Sequence, residues 1–170
     1  MAHFERSMGA SDEWFTPSYI FDGLEVRFDM DVAHPGLPSA SWVPADEYVT
    51  QDSLSREWKG FIWANPPFGG RNGLVPWLDR FFAHGNGIIL TPDRTSAPWW
   101  QSAAKKADAI MFMSPKVRFL RPDGSEGVSP STGTTLMASG GKGVAALLRG
   151  ACNGLGFVVF GATRWRIITD

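Results

Sequence analysis

The chain has 170 residues, 44% of them hydrophobic and 13% aromatic, with a net charge of −1. That length supports one domain with a substantial core and is short for two ordinary ones. A single cysteine, Cys152, excludes an internal disulfide, and His3, His34 and His84 are too scattered to suggest a zinc site, so no metal is expected.

No apolar run reaches the about 18 residues of a membrane span, and residues 1–11 lack the apolar centre of a signal peptide, so the expectation is a cytoplasmic protein without a membrane partner. Basic and acidic residues number 7 and 13 in positions 1–100 but 9 and 4 in positions 101–170. The cationic excess therefore lies late in the chain and is compatible with a nucleic-acid face. Eight tryptophans suggest a packed core with further rings in loops near a ligand.

Residues 1–11 are polar and unpatterned and read as a mobile arm, with one domain over residues 12–170. Thr16 reads as an N-cap with Pro17 at the first helical position, and Ile20, Phe21 and Leu24 share a face, so a short amphipathic helix is predicted. Its start would present free N–H groups to a carboxylate.

Residues 26–33 read as a strand with Asp31 near its C-terminal end, where carboxylates of open α/β sheets meet the ligand crevice; a solvated turn aspartate is the alternative. Residues 34–47 carry prolines, glycine and serines without periodicity and read as an irregular connection, with no Gly-x-Gly-x-x-Gly. Asp46 and Glu47 are the acids available there, and neither is assigned a role. Residues 48–54 read as a short strand entering a turn at Asp52, where capping of the turn by Asp52 or Ser53 is the alternative role.

Residues 61–64 are a short apolar run of the kind expected for a strand buried on both faces. They stop at Asn65-Pro66-Pro67-Phe68-Gly69, where two prolines cannot join a ladder. The side-chain carbonyl of Asn65, the main-chain carbonyl of Pro66 and the ring of Phe68 suit an exocyclic amine on a planar base: two acceptors bind its hydrogens while the ring stacks. The alternative is a strand-end turn with Phe68 in the core.

Residues 75–83 read as a helix ended by His84-Gly85, and residues 87–91 as a strand stopping at Pro92-Asp93-Arg94-Thr95-Ser96. A helix capped by Thr95 or Ser96 then carries Trp99 and Trp100. Arg94 is a candidate phosphate or active-site contact, or a surface ion pair. Strands are expected at 109–113 and 116–120, and alternation would put Lys116, Arg118 and Arg121 on one face. A strand at 134–138, a helix at 144–152 and a strand at 156–160 follow. The pattern predicts a three-layer α/β sheet of Rossmann-like topology, with the last strands as an antiparallel edge.

Asn65-Pro66-Pro67-Phe68 resembles the Asn/Asp-Pro-Pro-Tyr/Phe motif of S-adenosylmethionine-dependent amino-methyltransferases. With Glu13-Trp14-x-Thr16-Pro17, Phe28-x-x-Asp31-Val32-Ala33, Thr50-x-Asp52-x-Leu54 and Trp58-x-Gly60 in order before it, residues 12–137 resemble the phage-type DNA N6-adenine methyltransferase (Dam-like) family. The resemblance implies a methyltransferase fold, S-adenosylmethionine as cofactor and DNA as partner. It implies catalysis by Asn65, Pro66, Pro67 and Phe68 and a cofactor site at Thr16, Pro17, Asp31 and Asp52, with Asp31 on the ammonium and Asp52 on the adenine amine. DNA contacts are expected from Arg94, Lys116, Arg118 and Arg121. Methylation of cytosine N4 or a glutamine side chain, and a catalytically silent nucleic-acid-binding domain, are the rival readings. Protection of phage DNA within a host cytoplasm is a role the resemblance suggests.

Overall fold

The computed structural model describes residues 14–36, 42–69, 73–128 and 131–161. The expected arm at 1–11 and Glu13 lie outside them. Seven strands form one sheet: β1 Phe28–Asp31, β2 Ala45–Tyr48, β3 Ile62–Ala64, β4 Gly87–Pro92, β5 Ala109–Met113, β6 Thr134–Ser139 and β7 Gly156–Phe160. Four helices flank it: α1 Ser18–Leu24, α2 Val75–His84, α3 Pro98–Lys106 and α4 Gly141–Cys152.

The strand order is β2-β1-β3-β4-β6-β5-β7. The first four positions are parallel, whereas β6 runs antiparallel to both neighbours and β7 antiparallel to β5. The antiparallel strands are thus not simply an edge. β6 is inserted between β4 and β5, and β7 ends the sheet on the side away from β2.

Alternation along the strands divides the apolar residues between two cores. Phe28, Trp63, Ile88, Leu90, Met111 and Leu136 face Ile20 and Leu24 of α1 and Val144 and Leu147 of α4. Met30, Ile62, Ile89, Ile110 and Met137 face Leu78 and Phe81 of α2 and Trp100 and Ala103 of α3. Helices therefore cover both faces, giving three layers. On the first face Phe28 stacks on Phe61, with ring centroids 5.0 Å apart, and meets Trp63 at 5.6 Å.

Several predicted elements shift. β2 lies at Ala45–Tyr48, ahead of the expected 48–54, because Asp46 and Glu47 are exposed strand residues on a sheet edge, and Arg27 pairs with Asp46 beside them. α1 starts at Ser18, with Pro17 in the cap position and no side-chain capping bond, so Thr16 is not its N-cap. Ala97, in extended backbone before Pro98, caps α3 without a side-chain bond, in place of Thr95 or Ser96.

Residues 116–120 join no strand of the sheet. β5 is already paired on both sides, by β6 and β7, so no ladder is open to them. Leu120 instead makes isolated bridges with Phe15 and Glu126. No helix among the described residues is long and apolar enough to cross a membrane.

Phe28 is 1% exposed within this ring cluster. Phe28→Ala is expected to cost about 3–5 kcal/mol by removing apolar contact and leaving a cavity. Urea unfolding of both proteins checks this; a destabilisation below about 1 kcal/mol would mean that the cluster is not a packed core.

Candidate active site

Both faces of the sheet are covered, so polar side chains reach a ligand chiefly where strands end. From β1 the chain moves to β2 on one side and then returns to β3 on the other. At such a reversal the connections leave in opposite directions and open a crevice at the C-terminal strand ends. Asp31 pairs in register with Trp63, so Asp31 and Asn65 sit at neighbouring strand ends.

A cavity of about 620 Å³ occupies this crevice, lined among others by Asp31, Asp52, Thr16, Asn65 and Pro67. The rings of Trp14, Phe15, Trp42, Trp63 and Trp77 supply much of its apolar wall. The volume falls in the range of sites that enclose small molecules.

Asp31 is 3% exposed, and its Oδ1 accepts a hydrogen bond from the Ala33 N–H at 3.1 Å. Burial pushes its carboxyl up to about 7, against the opposing pull of that N–H. A buried acid of this kind gains most from a cationic partner that restores its charge. The solvated-turn alternative is therefore set aside. Asp52 stands at another part of the cavity wall, exposed, in left-handed backbone with φ 53°. It heads the short 3-10 turn Ser53–Ser55 without a side-chain capping bond, so its carboxylate is not spent on the turn.

Asn65 follows β3 directly. Its Nδ2 donates to Thr16 Oγ1 at 3.1 Å and reaches the Trp14 carbonyl at 3.5 Å. The Thr16 hydroxyl could meet either end of the amide, whereas the Trp14 carbonyl can only accept, so it is the Trp14 contact that favours the NH2 on this side. Oδ1 takes no hydrogen bond from the described residues and is left as an acceptor at the cavity. Pro66 is buried and Pro67 exposed. Phe68 is 39% exposed, which removes the reading of it as a core ring. It stands on the loop beyond the residues that line the cavity.

The segment bearing Thr16 is itself pinned. Trp42 Nε1 donates to the Thr16 carbonyl at 2.6 Å, and the Phe15 ring meets Trp42 edge-on at 5.9 Å. Phe15 and Leu120 exchange two main-chain hydrogen bonds of 2.9 Å, which dock the β5–β6 connection beside the site. Pro17 is buried and lies outside the cavity lining.

The four cationic candidates differ. Lys116 Nζ donates to the Ser131 carbonyl at 2.9 Å, and Arg118 lies 3.6 Å from the Glu126 carboxylate. Arg121 donates to the Glu126 carbonyl at 2.9 Å and to Ser125 Oγ at 3.3 Å. Arg118 and Arg121 thus converge on Glu126, while Lys116 reaches Ser131 further along the same β5–β6 connection. Arg94, just beyond β4, is exposed, and its side chain makes no hydrogen bond or ion pair with the described residues.

The sequence pattern did not disclose the Trp14–Thr16 anchor of Asn65 or the cavity rings Trp42 and Trp77. The abundance of tryptophan pointed to rings near a ligand without saying which. The family described as DNA N-6-adenine-methyltransferase (Dam) has a model that matches residues 5–145. The mixed seven-stranded sheet with helices on both faces is consistent with the Rossmann-like methyltransferase fold of that family. No curated protein and no solved structure matches the chain.

Asp31 also makes the stability of the protein depend on pH. Between its ordinary value of 3.8 and about 7 the folded protein keeps this proton and the unfolded chain loses it. Stability from this group is therefore full below about pH 4 and falls as pH rises towards 7, by a total on the order of 4 kcal/mol. Asp31→Asn should remove that fall. Urea unfolding of both proteins at pH 4.5 and 7.5 checks it, and an identical pH dependence in the two would contradict the buried-acid assignment.

Proposed function

The chain belongs to the DNA N-6-adenine-methyltransferase (Dam) family and is a DNA adenine-N6 methyltransferase, and we propose that it works by direct in-line transfer from S-adenosylmethionine to a flipped-out adenine held by Asn65-Pro66-Pro67-Phe68. The observation that carries this reading is the Asn65 amide: its NH2 is turned onto Thr16 and Trp14, and its Oδ1 is left as an acceptor at the cavity.

The cavity suits the cofactor. S-adenosylmethionine carries two positive centres, a sulfonium and an ammonium, together with an adenine ring, and the wall combines one buried acid, one exposed acid and five tryptophan and phenylalanine rings. Asp31 would hold the ammonium by a charge-assisted hydrogen bond, and Asp52 would accept from the adenine amine. The rings would face the sulfonium and the purine, since aromatic faces attract cations. Pro17 and the hydroxyl of Thr16 have less to offer the cofactor, the first being outside the lining and the second engaged by Asn65.

When bound, the cofactor supplies an electrophilic methyl group on sulfur, and transfer to N6 releases the carbon–sulfur electron pair to sulfur and a proton to water. The adenine amine is a poor nucleophile because its lone pair is shared with the ring. Asn65 Oδ1 and the Pro66 carbonyl would accept hydrogen bonds from its two N–H groups and hold the lone pair towards the methyl. Phe68, outside the cavity, would stack on a base taken from the duplex, offsetting part of the few kcal/mol that unstacking costs. Alignment of this kind is worth about 7–11 kcal/mol of effective concentration.

DNA would be held by Arg94, Lys116, Arg118 and Arg121. Arg94 needs to break no existing bond to meet a phosphate, and the docking of Leu120 on Phe15 supports including the three cations carried by the β5–β6 connection. Arg80 is a weaker candidate, since it lies 5.4 Å over the Trp58 ring and donates to the Arg56 carbonyl.

Asn65→Ala should lower the single-turnover methylation rate by about 10²–10³ through removal of one preorganised polar group, with cofactor affinity by calorimetry little changed. A near-normal rate would remove Asn65 from the mechanism. For DNA, titration of a labelled duplex at several salt concentrations should show a flatter slope of log affinity against log salt when the four cations are neutralised, by about 0.9 for each phosphate left without its cation. Phe68→Ala should weaken methylation at an unchanged slope. An unchanged slope in the four-site variant would place these cations away from DNA.

A further inference from the structure

Tyr19 lies outside the site described above. It stands in the first turn of α1 and is 46% exposed, although Ile20 and Phe21 beside it are buried. Among the described residues its ring stacks on no other ring and its hydroxyl makes no hydrogen bond. It borders a second cavity, of about 370 Å³, between α1, the end of β5 and the turn into β7, where Gly23, Met113, Pro115 and Leu155 form part of the wall. A Cβ on Gly23 would come within 2.8 Å of Leu155, so these two elements are already packed together and close the floor. Asn153, also in the wall, is pinned by its bonds to the Gly23 carbonyl and the Glu25 carboxylate. The volume is that of a small ligand site.

Its position relates this cavity to DNA. β5 and β4 are both antiparallel to β6, so Met113 ends β5 at the same end of the sheet as Asp31 and Asn65. Tyr19 follows Thr16, the Asn65 partner, by three residues, so at most about 11 Å of chain separates the two, about three stacked steps of one DNA strand. Burial and then the Glu126 carboxylate raise the Tyr19 phenol above its ordinary value, which sets the ring beside Glu126. Arg118 lies 3.6 Å from that carboxylate, and Arg121 donates to the Glu126 carbonyl. An exposed ring therefore stands near two exposed guanidiniums. Glu126, and Asp22 exposed on the same helix, repel phosphate from the ring itself, which leaves the uncharged face of a base as the group that fits there. The exposed Arg118–Glu126 pair contributes little and yields readily to a phosphate beside the ring. We propose that Tyr19 and this cavity form a second base-stacking position, which takes a nucleotide within about three of the target on the DNA strand while Arg118 and Arg121 hold its phosphates. The proposal rests on the reading above that the protein acts on DNA, and gives the strand beside the target a definite seat.

The test uses the full-length protein and its Tyr19→Ala, Tyr19→Phe and Phe68→Ala variants, with the double variant of Tyr19→Ala and Phe68→Ala. The probe is a labelled strand of thymines with one central adenine, alone and paired with its complement, and a set of the same strands in which each thymine near the adenine is replaced in turn by an abasic residue. Affinity is read at several salt concentrations, and S-adenosylmethionine affinity by calorimetry. Tyr19→Ala should weaken binding by about 5–150-fold, the loss of one stacked base, with the slope of log affinity against log salt unchanged. Tyr19→Phe keeps the ring and should stay within about twofold of the parent. One abasic position should cost the parent as much as Tyr19→Ala does, and should cost that variant nothing further. The fold-changes of Tyr19→Ala and Phe68→Ala should multiply, as expected for rings that stack on different bases. Cofactor affinity should not change.

Equal losses in Tyr19→Ala and Tyr19→Phe would overturn the proposal in favour of a contact made by the hydroxyl. A Tyr19→Ala protein that loses the same factor on every abasic strand, or whose effect vanishes when Phe68 is already removed, would overturn it as well. So would an unchanged affinity in folded Tyr19→Ala, checked by its melting temperature, which would leave the cavity to a partner other than nucleic acid; Tyr19→Gln replaces the alanine variant if that one does not fold. A parent that binds neither form of the probe overturns it too. A parent that binds DNA as described but transfers no methyl group would instead overturn the catalytic reading and leave the stacking position standing.

Discussion

A sheet covered by helices on both faces has little room for polar chemistry except at the ends of its strands. Here that constraint acts most strongly between β1 and β3, where the chain departs to opposite sides and the connections part. Asp31 and Asn65 are brought together by that reversal, although they are far apart in sequence. One is a buried acid that favours a cationic partner, and the other is an amide with one end tied. The remaining features of the site either line the space between these two groups or hold them still.

The apolar interior and the site are built from overlapping material. Trp63 is 1% exposed and packs against Phe28 and Phe21, yet it also lines the cavity. Phe15 is buried against Trp42, bridges to Leu120 and lies between the two residues that anchor Asn65. Movements of the cavity wall are therefore resisted by core packing, where a change of even one methylene is felt. Residues 116–120 of the β5–β6 connection, which join no strand of the sheet, and the Asn65 amide both contact the same short segment, Trp14 to Thr16.

Much of this was legible in the sequence because local pattern and final structure agree. β5 and β7 coincide with continuous apolar runs, and α2 ends at Gly85, whose φ of 77° is a conformation that glycine adopts without cost. The break from an apolar run to Asn65-Pro66-Pro67 marks a strand end without any tertiary information. Other parts were hidden for nonlocal reasons. β2 contains Asp46 and Glu47, charges that read as a loop until the strand is seen to be an edge. Residues 116–120 have strand-like composition but find both sides of β5 taken. Thr16 looks like a helix cap because Pro17 follows it, while its hydroxyl is recruited by Asn65, 49 residues away. No local rule contains that preference.

One chemical claim stands above the others: this site receives the amine of adenine and methylates it. The most direct measurement incubates the parent protein with S-adenosylmethionine and two sets of DNA duplexes whose possible target strands contain either adenine or cytosine as the only amine-bearing base of interest. The products are digested to nucleosides and weighed by mass spectrometry. The account predicts N6-methyladenine from the first set and no methylated cytosine from the second. N4-methylcytosine without N6-methyladenine, or cofactor binding with no methylated nucleoside from any duplex, would contradict it.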